Sequence, residues 1–454
     1  MSVVYCSRVS VRQMGYLSVV VAYVCGLLLT GCGATYPVLA KVEGALQPTK
    51  LSAIKSNVFA CSNSMAHPEP SEGVQVYIPY VANAPGYMTI RTDGFLTIGE
   101  EPFFPFGLYH TSWAGRVHED LRQDVGAVSD AGFSFLHAAM DTRDGAVLEL
   151  ADYKGVWLFV ANNDVRGLEA MIKQFPQQFI IAGWLLSDDF NSPPDNPQMS
   201  PEELCERHRL VKSLDPYRLT YASGGAPPAY ELAPYRDAVD VIGIQSYPIS
   251  NKSMRYQSEL EQNYSQFCHA RQALADKTLL ANTQAFRWPD ESARYPTPAE
   301  ERNLTYAALM NGVNGILAYA YYDGNHILSQ SDPVLWEEMI QLNVDVQQLK
   351  QVLVNGDRIE LITEPCSTLF NEATVHATAW QWQDELYIAA LNTHDSQTLP
   401  IQFELPMLTY GDLQPVFGAD ARYEQGLVRE ESRITGQISP QAVHLYRLST
   451  KPVQ

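Results

Sequence analysis

The hydrophobic pattern of this chain has two regimes. Between about residues 103 and 355, short near-continuous apolar runs alternate with longer stretches of helical period, and beyond Gly356 the period falls to two. The first regime predicts parallel strands covered on both faces by helices. The spacing predicts strands over 103–109, 133–138, 156–161, 180–186, 219–222, 239–245, 278–284 and 315–321. It predicts helices over 117–131, 146–153, 165–175, from 200, over 256–275, from 297 and over 333–354, with only a helical turn near Tyr230. Ser200-Pro201-Glu202-Glu203 and Thr297-Pro298-Ala299-Glu300 are capping boxes with proline in the first turn. Eight strand–helix units suit a closed (β/α)8 barrel, the TIM barrel. A doubly wound open sheet is the weaker alternative, because no Gly-rich phosphate loop follows the first strand.

Strands expected over 74–78, 87–90 and 95–98, with an Asp93-Gly94 turn, form a β-rich lead-in. Beyond the barrel, strands over 375–381, 385–391, 399–405 and 442–448 follow one another without helices, which predicts a small all-β sandwich. The expected organisation is an export signal over 1–31, a tether over 32–73, the barrel with its lead-in over 74–355, and the sandwich over 356–454.

The N-terminus reads as an address. Arg8 and Arg12 precede an apolar run from Leu17 to Leu29, too short for a secure membrane span, which ends in Leu29-Thr30-Gly31-Cys32. This resembles a bacterial lipoprotein signal. The resemblance implies cleavage before Cys32, acylation of its thiol (with palmitate among the chains) and a stable membrane anchor. Gly33 rather than Asp follows the cysteine, which resembles the outer-membrane-sorted type of Gram-negative cells. The expected location is therefore the cell envelope. Cys61, Cys205, Cys268 and Cys366 remain in the body, without metal-ligand spacing. Export permits disulfides, but their scatter favours buried free thiols, and no pairing is legible.

The formal charge is −20, with 51 acidic against 31 basic residues. Such a surface repels nucleic acid and suits a neutral substrate. No zinc spacing, nucleophile elbow or phosphate loop is present, so neither a metal nor a cofactor is expected.

In such a barrel, working residues lie at the C-terminal ends of the strands. Those ends carry His110 and Trp113, then His137 with Asp141, then Asn162 and Asp164, Asp188 and Asp189, Gln245 and Tyr247, Gln284 and Trp288, and Tyr321 and Asp323. Sugars suit this rim, since C–H faces stack on rings and hydroxyls pair with amides and carboxylates. Glycoside cleavage needs a carboxylic acid beside the leaving oxygen, usually with a second carboxylate opposite. Asp189 is the first candidate for the acid, Asp188 its partner, and Asp323 a base across the barrel. His110, Trp113, His137, Asn162, Gln245, Tyr247, Gln284, Trp288 and Tyr321 are candidates for substrate binding; Asp141 and Asp164 are weaker candidates.

The stretches 93–109, 183–189, 240–248, 297–316 and 443–446 resemble, in order, the lead-in, fourth strand, sixth strand, seventh helix with eighth strand, and last sandwich strand of the barrel glycoside hydrolase superfamily. The resemblance implies hydrolysis of glycosidic bonds in a poly- or oligosaccharide at the cell surface. Two positions depart from it. Asp189 stands where the superfamily usually has the fourth-strand Glu, and Gln284 where retaining members have the nucleophilic Glu. Gln cannot form a glycosyl ester, so a glycan-binding surface lipoprotein without catalysis is the alternative.

Overall fold

The computed structural model describes residues 86–111, 118–162, 164–193, 197–251, 258–324, 326–362 and 374–452. The expected strand over 74–78, Trp113 and Cys32 lie outside them. Three short strands, β1 (Met88–Ile90), β2 (Leu96–Ile98) and β3 (Glu101–Phe103), form the antiparallel lead-in sheet. Eight parallel strands follow: β4 (Phe106–His110), β5 (Phe135–Ala139), β6 (Trp157–Ala161), β7 (Ile181–Ser187), β8 (Leu219–Gly225), β9 (Val241–Gln245), β10 (Thr278–Asn282) and β11 (Gly315–Asp323). They pair in chain order, and β10 pairs with β11 and β11 with β4, so the sheet closes. The expected first strand was two elements, because Pro105 separates β3 from β4.

The helices are α1 (His118–Asp130), α2 (Gly145–Lys154), α3 (Val165–Gln174), α4 (Pro201–Leu214), α5 (Glu259–Ala273), α6 (Pro298–Met310), α7 (Leu328–Ser331) and α8 (Pro333–Asn355). Both expected capping boxes form, with Ser200 and Thr297 accepting from the backbone N–H of Glu203 and Glu300, whose side chains reach back. A two-residue strand, β12 (His326–Ile327), turns back along β11. After Asn355 come β13 (Asp357–Glu360), β14 (Val375–Trp382), β15 (Glu385–Asn392), β16 (Leu399–Glu404), β17 (Tyr410–Pro415), β18 (Val428–Glu430), β19 (Arg433–Ile438) and β20 (Val443–Ser449). They form a five-stranded sheet, β13-β14-β15-β20-β17, and a three-stranded one, β16-β19-β18. Four of these, β13 and β17–β19, carry polar side chains where a period-two apolar signal was needed to foresee them.

Burial follows from these periods. Phe135, Phe159, Tyr221, Val241, Leu280 and Leu317 fill the barrel interior, and Met88 and Leu96 of the lead-in join that cluster, plugging the end where the strands begin. Ile388, Ala390, Phe403, Ile434 and Leu448 fill the sandwich. The opposite face of its larger sheet, with Trp380, Ala389, Leu391 and Leu445, joins the core formed with the barrel helices.

Polar contacts also join the sandwich to the helices. Fully buried Glu261 of α5 meets His376 Nε2 at 2.9 Å and accepts from Thr393 Oγ1 at 2.6 Å. Arg422 pairs with Asp345 of α8 at 2.8 Å, and the Tyr423 hydroxyl donates to the same carboxylate at 2.6 Å. Cys205 and Cys268 are both disulfide-bonded, which corrects the expectation of free thiols for these two. Removing one member of a buried ionic network leaves its partners desolvated and unpaired. Glu261→Ala is therefore expected to cost about 3 kcal/mol, read as a lower denaturant midpoint.

Candidate active site

The strand ends open on a cleft of about 1630 Å³, lined among others by Asp188, Asp189, Gln245, Tyr247, Trp288 and Asp323. Six of the residues anticipated for the site thus converge. Among the described residues, the lining comes from strands β7–β11 and the segments after them.

Asp188 and Asp189 follow β7 directly. Asp189 has φ +52°, a left-handed conformation that Asp tolerates better than most residues. The turn is tied to β8: Asn191 Oδ1 accepts from Gly225 N at 2.8 Å, and its Nδ2 donates to Gly225 O at 3.1 Å. A Cβ on Gly224 would lie 2.5 Å from Asn191 Oδ1, so this close approach requires glycine. Asp188 Oδ1 accepts from Ser223 Oγ of β8 and from Gln245 Nε2 of β9, the latter at 3.1 Å. Burial, with the Asp189 charge next in size, pushes the Asp188 carboxyl up to about 7; its hydrogen bonds offset this only in part. The Asp189 backbone N–H is a third donor to the same carboxyl.

Rings enclose the other side. Tyr247, Phe286, Trp288 and Tyr319 meet at centroid distances of 5.0–6.4 Å, mostly edge to face. The Tyr319 hydroxyl hydrogen-bonds Asp323, and burial raises the phenol's ionisation above its ordinary range. Beneath the cleft, the Tyr109 and Tyr221 hydroxyls meet at 2.8 Å and Tyr221 donates to Asn282 Oδ1 at 3.1 Å, closing the barrel interior. Among the described residues, no three His, Cys, Asp or Glu side chains converge to hold a metal ion.

Five anticipated residues belong to the scaffold instead. His110 is buried and meets Asp124 of α1 at 2.8 Å, facing the helix layer. His137 stacks on Tyr109 at 4.1 Å inside the barrel, where burial and then His110 push its imidazole down to about 3. Asn162 donates to Met140 O at 2.9 Å and accepts from Asp164 N, shaping its own loop. Gln284 is buried with every polar atom on backbone: Oε1 accepts from Ile249 N at 2.8 Å, and Nε2 donates to Ile249 O and Phe286 O. Tyr321 packs against Trp336 at 5.4 Å, outside the barrel. Register between β11 and β4 slips between Ala318 and Tyr322, where the Tyr319–Ala320 peptide is cis. Tyr319, not Tyr321, therefore lines the cleft. Asp141 pairs with Arg143, and Asp164 caps α3.

Sequence reasoning passed over Ser223, Phe286, Arg287, Tyr295, Tyr319 and His326. Only Tyr319 and the 286–287 pair stood within the strand-end segments, and nothing in their spacing set them apart.

The fold of the chain, a closed eight-stranded barrel followed by a sandwich, is similar to that of solved glycoside hydrolase structures. A glycoside hydrolase family 5 protein from Bacteroides vulgatus matches with a TM-score of 0.57 and 12% identity over 82% of this chain and 95% of that one. A second glycoside hydrolase structure matches with a TM-score of 0.54 and 11% identity, over 82% and 98% of the two chains. The likeness is one of fold. No family model and no curated protein matches the chain.

A carboxyl with a raised value favours its protonated form when folded. Stability is then full below the ordinary carboxylate range and is lost as pH rises through it toward about 7. Asp188→Asn, which stays neutral, should raise Tm by a few degrees near about pH 8 and leave it unchanged near about pH 4.

Proposed function

We propose that this protein is a surface-anchored glycoside hydrolase whose cleft binds a poly- or oligosaccharide and cleaves it with paired carboxylates. The observation that carries this reading is the adjacent Asp188–Asp189 carboxyl pair in a ring-lined cleft that Asp323 also lines. The roles are the reverse of those expected from sequence. Asp188 keeps the proton at working pH, chiefly through its burial and next through the Asp189 charge, and donates it to the leaving oxygen. Ser223 and Gln245 hold Asp188 in one orientation. Asp323, positioned by Tyr319, takes the proton of an attacking water. This is a single displacement that inverts the sugar carbon, and Gln284 motivates it, since an amide stands where a nucleophilic carboxylate would be needed.

Tyr247, Trp288 and Tyr319 offer edges and faces to the sugar ring. The export signal supports a location in the cell envelope, with acyl chains on Cys32 as the anchor. Disulfides at Cys205 and Cys268 fit an oxidising compartment. A second reading, glycan binding without cleavage, is favoured by one observation: Gln284 spends its amide on the backbone and leaves strand seven without a reactive group.

Incubation with algal, plant and bacterial glycans should release reducing ends, and Asp188→Asn should lower turnover about a hundredfold or more. Activity should fall as pH rises through about 7. Asp189→Asn removes the like charge and should move that limb to lower pH. Binding in calorimetry with no product from the parent protein would leave the second reading standing. Metabolic labelling with a fatty-acid probe should mark the parent protein and not Cys32→Ala; equal labelling of the two would remove the anchor.

A further inference from the structure

The cleft floor holds Asp188 and Asp189, and the wall built after β10 and β11 presents Arg287, Trp288, Tyr295 and His326 beside the carboxylates of Asp290, Glu291 and Asp323. Arg287 is exposed to the cleft and makes no ion pair with any described residue; its guanidinium lies 6.0 Å from the Tyr295 ring centre. The Tyr295 ring stands edge-on to His326 at 5.8 Å. Two buried ring nitrogens of this wall, Trp288 Nε1 and His326 Nε2, have no hydrogen-bond partner. A backbone bond to Ala320 holds the other side of the His326 ring. Buried polar atoms without partners are uncommon and point to something absent from the protein itself. Asp290, on the same loop, accepts from Ser292 N at 2.8 Å and Ser292 Oγ at 2.6 Å.

We propose that this wall is a subsite for an anionic substituent on the sugar, a carboxylate or a sulfate ester. It rests on the reading that the cleft holds a carbohydrate, and it narrows the substrate to acidic glycans. The forked guanidinium matches the paired oxygens of either group, and the indole N–H supplies a third donor. An anion beside His326 favours the imidazolium, which turns Nε2 into a fourth donor. In a chain of formal charge −20, a cation without an ion-pair partner among the described residues is what lets such a ligand approach.

The test uses the full chain carrying Asp188→Asn, so that bound sugar is not consumed. The probes are glucuronate and galacturonate, glucose and galactose, and the 6-sulfates of the two neutral sugars. Binding is followed by the Trp288 indole N–H signal in NMR, assigned with Trp288→Phe. The acidic sugars should shift that signal and bind at least about tenfold tighter than their neutral counterparts. Arg287→Leu should abolish that preference and leave neutral-sugar affinity unchanged, and Arg287→Lys should restore part of it. Preference for uronates names the carboxylate, and preference for the 6-sulfates names the sulfate. Neutral sugars bound as tightly as acidic ones, an equal loss for both in Arg287→Leu, or no binding of any probe would overturn the proposal. Acidic sugars bound at Trp288 by a protein that cleaves no glycan would sink the hydrolytic reading and keep this one.

Discussion

Pairing of β10 with β11, Leu280 opposite Gly315 and Ala281 opposite Ile316, turns a parallel sheet into a ring. The contact is tight: a Cβ on Gly315 would lie 2.3 Å from the Pro105 ring and 2.8 Å from Leu280. Closure forces all eight strand ends to one side, so groups far apart in the chain meet there without any loop having to carry them. The opposite end is sealed by the lead-in sheet, and the interior by Tyr109, Tyr221 and Asn282. Solvent thus reaches the strand ends from one direction only.

Within that frame the cleft depends on holding like charges together. Burial of Asp188 makes its ionised form costly, and repulsion from the adjacent Asp189 carboxylate adds to that cost. Ser223 and Gln245 do not relieve this fully; they orient the group while leaving it able to hold a proton. Each comes from a different strand, so the arrangement is fixed by the sheet rather than by side-chain freedom. The short Asn191 bridge to Gly225 locks the one turn that would otherwise let Asp189 swing away.

Much of this was legible in the sequence, because alternating apolar runs and capping boxes are local signals. The barrel strands, the helix starts and the pair at the end of β7 all followed from them. Side-chain direction at a strand end did not, for it depends on register and on what packs behind. His110 and His137 stand at neighbouring strand ends, yet one faces Asp124 in the helix layer and the other Tyr109 in the interior. At the end of β11, slipped register exchanges Tyr321 for Tyr319. Ser223 was invisible because a serine within an apolar run carries no pattern of its own.

The position of Gln284 connects fold to chemistry. A buried amide can donate and accept at once, and Gln284 does so across the turn that carries Ile249 and the chain at Phe286. A carboxylate there would face the Ile249 and Phe286 carbonyls with no proton to offer, unless it were itself protonated. The same side chain that removes a nucleophile from strand seven therefore holds the segment bearing Phe286, Arg287 and Trp288 against the cleft. What strand seven lacks in reactivity it supplies as a wall. On the hydrolytic reading proposed above, cleavage rests on Asp188 and Asp189 after strand four and Asp323 at strand eight, which places the attacking water and the leaving oxygen on separate groups rather than on one covalent intermediate.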